Sequence, residues 1–161
     1  MIVLGLDPGI ARLGWAILSV DKGKVKAISF DCFETKKELN LPERIFLVHE
    51  KVSGLIKKYK PDCLSIEEIF FSSNAKTAFS VGQSRGVCIL AAEQMGVPTY
   101  SYTPLQVKVA VTGYGKADKY QVGQMVKTIL VLKIVPKLDD TSDALAVAIT
   151  HAFSYKMKGK I

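Results

Sequence analysis

The chain opens on Ile2-Val3-Leu4-Gly5-Leu6-Asp7-Pro8-Gly9, an apolar run that stops at Asp-Pro-Gly. Such a run reads as a buried strand ending in a turn, with one carboxylate held at the strand's last position. Outward from it, Gly14–Val20 reads as a second strand closed by Asp21-Lys22-Gly23. Lys24–Thr35 reads as a third, with Val25, Ala27 and Ser29 on one face and Ile28 and Phe30 on the other. Short turns join the three, which predicts an antiparallel meander. From Pro42 the period changes: Ile45, Val48, Val52, Leu55, Ile56 and Tyr59 form a helical stripe, with Asn40 and Glu43 as its start signal and Pro61 as its stop. Cys63–Ile66 is a short strand leading into Glu67-Glu68. Asn74 is placed to cap a helix from Ala75 to about Gln94, with Gly96 beyond its end. Val97–Tyr102 is a fifth strand, and helices are predicted from Thr103-Pro104 to about Val111, over Asp118–Leu132, and from Asp139 or Asp140 to about Tyr155. The order β-β-β-α-β-α-β-α-α-α implies an α/β fold, a mixed five-stranded sheet with helices on both faces.

The 161 residues suit one domain, taken as 1–155 with a basic tail over 156–161. At 48% apolar and 23% charged the composition excludes disordered and collagen-like classes. No apolar run is long enough to span a membrane, and no basic segment precedes the apolar start as in a signal peptide. Cys32, Cys63 and Cys88 are odd in number and widely spaced, which argues against zinc sites and a disulfide framework. A reducing, cytoplasmic setting is expected. Lys and Arg total 22 against 15 Asp and Glu, a net charge of +7. Between Thr103 and Lys133 the charges are Lys108, Lys116, Lys119, Lys127 and Lys133 against Asp118 alone, a stretch suited to a polyanion.

Acidic residues stand at element ends that this topology brings together. Asp7 ends the first strand and Glu67 the fourth, which should lie beside it and parallel. Asp140 and Asp143, three apart, share one face at the start of the last helix. Each alone reads equally as a turn former or a helix cap. Together they are costly: two unit charges about 4 Å apart repel by roughly 1 kcal/mol in water and about 4 kcal/mol at an effective dielectric of 20. A cation between them relieves that repulsion, and oxygen ligands without His or Cys select Mg²⁺ or Mn²⁺. On a Lys-rich protein this points to nuclease chemistry.

The segments Gly5-Leu6-Asp7-Pro8-Gly9, Ile66-Glu67-Glu68, Asn74-Ala75-x-x-Ala78, Gly82-Gln83-x-Arg85-Gly86, Gln106-Val107-Lys108 and Asp140-x-x-Asp143-Ala144-Leu145-Ala146 stand in the order found in the RuvC family. The resemblance runs from about Ile2 to Phe153. It implies an RNase H-like fold and a homodimeric endonuclease that resolves four-way (Holliday) DNA junctions by paired nicks, leaving 5′-phosphate and 3′-hydroxyl ends. It implies that Asp7, Glu67, Asp140 and Asp143 are catalytic and bind two Mg²⁺ per active site, with Mn²⁺ as a substitute. Glu68 falls on the opposite strand face from Glu67, and Asp139 lacks the three-residue spacing to Asp143.

Further roles follow from the same resemblance. An aromatic matching Phe70 stacks on an unpaired base at the junction centre, although Phe71 is its neighbour and either fits a core. Lys108 and Lys119 match lysines facing the DNA backbone. Apart from the resemblance, Lys116 in Gly113-Tyr114-Gly115-Lys116 is not a Walker loop and is expected to add a phosphate contact. Ala78, Gly82 and Gly86, four apart, allow close backbone approach, either to the chain's own sheet or, as in the family, across a dimer interface. Phe79, Val87 and Leu90 supply an apolar face elsewhere on that helix. The RuvA-RuvB branch-migration complex is the implied partner. His151 lies two turns after Asp143 and reads as packed, exposed or reaching the cleft rim, and His49 has no evident partner. A YqgF-like RNA-processing nuclease, a non-cutting junction-binding protein and a sugar kinase-like phosphate binder are the rival readings.

Overall fold

The computed structural model describes residues 1–68 and 75–158, with side chains for 1–68 and 79–154. Five strands, β1 (Ile2–Asp7), β2 (Arg12–Asp21), β3 (Lys24–Glu34), β4 (Cys63–Glu67) and β5 (Thr99–Tyr102), form one sheet in the order β3-β2-β1-β4-β5. β1 to β3 are antiparallel neighbours, while β4 runs parallel to both β1 and β5. Five helices complete the chain: α1 (Leu41–Tyr59), α2 (Ala75–Gln94), α3 (Pro104–Thr112), α4 (Lys119–Ile129) and α5 (Asp139–Lys158). The mixed sheet and its βαβ crossovers match the expected order.

Strand alternation splits the interior into two cores. Leu4, Leu6, Leu13, Trp15, Ile17, Leu64 and Ile66 point to α1 and α2, where Val48, Val52, Cys88 and Ala92 meet them. Val3, Ala16, Leu18 and Cys63 point the other way, to α5 and beyond it to α3 and α4. α5 is buried on every side from Ala144 to Ile149, as expected of a helix held between a sheet and a further helical layer. Trimming such a side chain, Leu145→Ala for example, costs about 2–5 kcal/mol.

Local chemistry sets the element ends. Asn40 and Glu43 close a capping box on α1, as their spacing predicts, and Thr103–Gln106 and Asp118–Gln121 do the same for α3 and α4. β5 starts two residues later than expected because the Val97 N–H still closes α2, on the Ala92 carbonyl, and Pro98 has no N–H to give. α4 stops at Ile129 rather than Leu132. Val131 turns left-handed (φ 53°), and the Leu132 N–H folds back onto the Lys127 carbonyl. α5 runs to Lys158, past the expected Tyr155.

The face assignment in β3 is corrected. Ser29 pairs with Ile17 and Ala27 with Leu18, which leaves Ile28 as the extra residue of a bulge. A bulge reverses alternation beyond it. Phe30 therefore joins Val25 and Ala27 against the α5 core, while Ile28 is exposed. Cys32 is half-buried and Cys63 and Cys88 are buried, all as free thiols. His49 has a partner after all: its Nε2 lies 2.8 Å from Gln94 Oε1, joining α1 to the end of α2. Among the described residues no helix is long and apolar enough to cross a membrane.

Candidate active site

Three elements meet at the C-terminal end of β1. Leu6 pairs with Ile66 in the parallel β1–β4 ladder, so one step on Asp7 and Glu67 stand level on neighbouring strands and on the same face. On the other side Asp7 pairs with Gly14 of β2. A Cβ at Gly14 would collide with the backbone carbonyl of Asp140, and one at Gly5 with the Ala144 carbonyl and the Ala148 methyl. These glycines let the first turns of α5 press on the sheet at the level of Asp7, which brings Asp140 and Asp143 to the two strand-end acids. The Ser65 hydroxyl, donating to the Val147 carbonyl at 2.8 Å, fixes the same helix to β4.

The electrostatics report this convergence. Burial, then the charges of Asp143, Glu67 and Asp140, push the Asp7 carboxyl up to about 7 against the opposing pull of Lys119. Burial and Asp143 push Glu67 up to about 7, opposed by Lys119 and Lys108. Burial raises Asp143 too, and Lys119 opposes it. The Lys119 Nζ donates to Asp143 Oδ2 at 3.2 Å and stands 4.0 Å from Asp139. Asp139 itself is 78% exposed, in keeping with a solvated charge. Glu68 is exposed, and its N–H donates to the Tyr102 carbonyl.

Supporting groups escaped the sequence reading. Arg12 holds Glu34 at 3.2 Å and reaches to 4.0 Å from Asp140. Arg85 of α2 donates to the Glu67 carbonyl at 3.1 Å and to Ser101 at 2.6 Å, pinning the end of β4. Thr35 donates to the Ile10 carbonyl at 2.6 Å and accepts from Arg44, which holds the loop after Asp7. The only signal available for these was an Arg inside or near a motif segment.

Lys108 and Lys119 face the acids, whereas Lys116 is exposed with no link to them. Phe70 and Phe71 lie outside the described residues, as does the Ala78 side chain. At Gly86 a Cβ would meet nothing within 4 Å, so the chain's own sheet is not what approaches it. Phe79 and Leu90, on the same helix, are 70% and 51% exposed. His151 does not reach the cleft. It is buried, with Nδ1 2.8 Å from the Tyr102 hydroxyl and its ring against Tyr100.

Among the described residues no three Asp, Glu, His or Cys side chains stand close enough to hold a metal ion as placed. Lys119 is bound to Asp143 at 3.2 Å. The donor set, four carboxylates without nitrogen or sulfur and two of them raised to about 7, nevertheless suits a hard divalent cation. A cavity of about 290 Å³ between α4 and α5, lined by Lys119, Tyr120, Asp139, Ser142 and Asp143 among others, opens beside the acids. A larger one of about 690 Å³ lies at the β2–β3 turn, away from them. A polymer substrate needs an open surface, so charge rather than cavity size marks this site.

Residues 3–151 match the family model described as crossover junction endodeoxyribonuclease RuvC. The chain belongs to the RuvC family. A RuvC of Desulfitobacterium hafniense is 45% identical over 161 residues, covering 100% of this chain and 98% of that one. The Thermus thermophilus RuvC structure superposes with a TM-score of 0.91 at 38% identity, covering 98% of this chain and 97% of that one. T. thermophilus RuvC in complex with Holliday junction substrate gives 0.92 at 36% identity, with 98% and 96% covered. The RNase H-like fold expected from the RuvC resemblance is thus the observed one.

Proposed function

We propose that this chain is a crossover junction endodeoxyribonuclease that resolves four-way DNA junctions, with Asp7, Glu67, Asp140 and Asp143 as its catalytic carboxylates. The observation that carries the assignment of these four is their convergence from β1, β4 and α5 through the Asp7–Gly14 pairing. The same four residues would hold Mg²⁺, two ions per site, with Mn²⁺ able to substitute. Bound there, divalent cations supply positive charge at the scissile phosphate and lower the pKa of the attacking water. Asp7 and Glu67, titrating near 7 when unscreened, are ready to give up their protons at neutral pH. Lys119 shields Asp143 until substrate arrives, and with Lys108 it then neutralises phosphate oxygens. Water adds to phosphorus and the P–O3′ bond breaks, leaving a 5′-phosphate and a 3′-hydroxyl.

Residues 1–155 form the nuclease domain in this reading and 156–161 its basic tail. Lys116 contacts phosphate, and Phe70 stacks on a base at the junction centre. Ala78, Gly82 and Gly86 bring α2 of two protomers together, and open space at Gly86, with Phe79 and Leu90 exposed on the same helix, supports that. A two-fold dimer matches the two-fold symmetry of a four-way junction. The setting is the cytoplasm, in partnership with RuvA-RuvB.

The test is cleavage of a synthetic mobile four-way junction with and without Mg²⁺. Paired nicks that require Mg²⁺ and vanish in Asp7→Asn, with junction binding retained, are expected. Full cleavage by Asp7→Asn would remove the mechanism. Structured RNA as competing substrate separates the YqgF-like alternative.

A further inference from the structure

Two large aromatic side chains on the α3–α4 face stand in solvent and take no part in either core. Tyr114 is 56% exposed and Tyr120 73%. Together with Gln121, Gln124 and Met125 they line a cavity of about 330 Å³ on the α3–α4 face. This cavity shares a wall with the one that holds Lys119, Asp139 and Asp143, because Tyr120 and Gln124 line both. Tyr120 and Gln124 thus stand between the cavity beside the acids and the one that Tyr114 lines.

Both rings sit on backbone that is already held. The Tyr114 N–H donates to Thr112 Oγ1 at 3.0 Å, and the Tyr114 carbonyl accepts the Ala117 N–H at 3.1 Å. Gly115 lies so close to Leu105 that a Cβ would come within 2.6 Å of it, which presses this loop onto α3. Tyr120 lies within the Asp118–Gln121 capping box at the start of α4. A platform fixed before binding loses little freedom when something stacks on it.

The chemistry of the surroundings selects the ligand. Lys116 and Lys119 lie between the two tyrosines in sequence, and Lys119 also reaches the acids. Cations near aromatic faces suit a phosphate backbone with its nucleobase, and the amide of Gln124 suits the base's polar edge. We propose that Tyr114 and Tyr120 form a stacking site for an unpaired nucleobase that flanks the scissile phosphate. The site rests on the nuclease reading above and adds to it a second base-holding point, on α3–α4 rather than after β4. It makes the efficiency of cutting depend on the base that leaves the duplex there.

The experiment measures single-turnover cleavage of a four-way junction in Mg²⁺ by wild type, Tyr114→Ala, Tyr120→Ala and Tyr120→Phe. An abasic nucleotide is walked through the positions on either side of the cut. Stacking energies of this kind correspond to roughly tenfold effects. Tyr120→Ala is expected to cut about tenfold more slowly, with Tyr120→Phe restoring most of the rate. One abasic position should slow wild type by the same factor and Tyr120→Ala no further. Wild-type rates in Tyr120→Ala, or losses that multiply at every position, would overturn the site. A parallel arm places 2-aminopurine at the same positions and follows its fluorescence without metal. If wild type cuts no junction, the nuclease reading falls. In that case the 2-aminopurine arm alone decides the stacking site, and an equal signal in wild type and Tyr120→Ala overturns it.

Discussion

At Asp7 a carboxyl is raised to about 7 by burial and by three neighbouring carboxylates, and the sign of that shift makes a stability statement. In the unfolded chain the same group titrates near 4. Between about pH 4 and pH 7 the folded protein therefore keeps protons on Asp7 and Glu67 that the unfolded chain has released, so these groups lower stability as pH rises through that window. Without metal, the melting temperature should fall between about pH 5.5 and 7.5, and Asp7→Asn should fall less. At pH 8 the variant should melt higher than wild type, by about 2–4 °C for each kcal/mol relieved. Identical melting curves would mean that the acids do not strain one another. Asp7, Glu67, Asp140 and Asp143 were legible as candidates because each ends or begins an element next to a turn or a cap. The roles of Arg12 and Arg85 were not, since each acts on a partner remote in the chain, Asp140 for one and the Glu67 carbonyl for the other.

At the scale of elements, the fit of α5 against β1 and β2 decides whether the acids meet. A methyl group at Gly14 has to displace the Asp140 backbone. Gly14→Ala should cost about 1–3 kcal/mol of stability through overpacking. Its cleavage rate should fall by about 100-fold or more, because shifts of about 1 Å at a catalytic centre have that effect. Urea denaturation and junction cleavage measure the two effects separately, and a wild-type cleavage rate would show that Gly14 does not govern the approach of α5. The elements themselves were readable from period and punctuation: α2 falls at Ala75–Gln94 as expected, and the α1 capping box is where Asn40 and Glu43 place it. The bulge at Ile28 was not. Nothing in the local alternation marks it, since it arises where β3 must stay in register with β2 on both sides of Ile17 and Leu18. The early end of α4 escaped for a similar reason: Val131 is an unlikely residue for a left-handed turn, and tertiary context overrides its preference.

For the whole molecule, net charge sets how it meets DNA, and the proposed two-fold dimer sets the symmetry. With a charge of +7 and lysines along α3–α4, junction affinity should fall steeply with salt, and removing Lys108 or Lys116 should each reduce the slope of log K against log salt by about 1. A slope unchanged in both variants would take these lysines out of the interface. Gly86→Leu places a side chain where the protomer leaves open space, so the fold should persist. If α2 meets its copy there, sedimentation should show the 17.6 kDa monomer in place of a dimer. A stable dimer in Gly86→Leu would move the interface off this helix face. The proposed dimer was legible only through interior glycines on α2, because a surface offered to a partner looks locally like any exposed helix.

The proposed chemistry requires that Asp7, Glu67, Asp140 and Asp143 hold divalent cations at one centre. Anomalous diffraction from crystals of the protein with a four-way junction and Mn²⁺ tests it most directly. Peaks among those four carboxylates, lost in Asp7→Asn crystals, are the expected result. Manganese absent from that position while junction DNA lies across the site would contradict it.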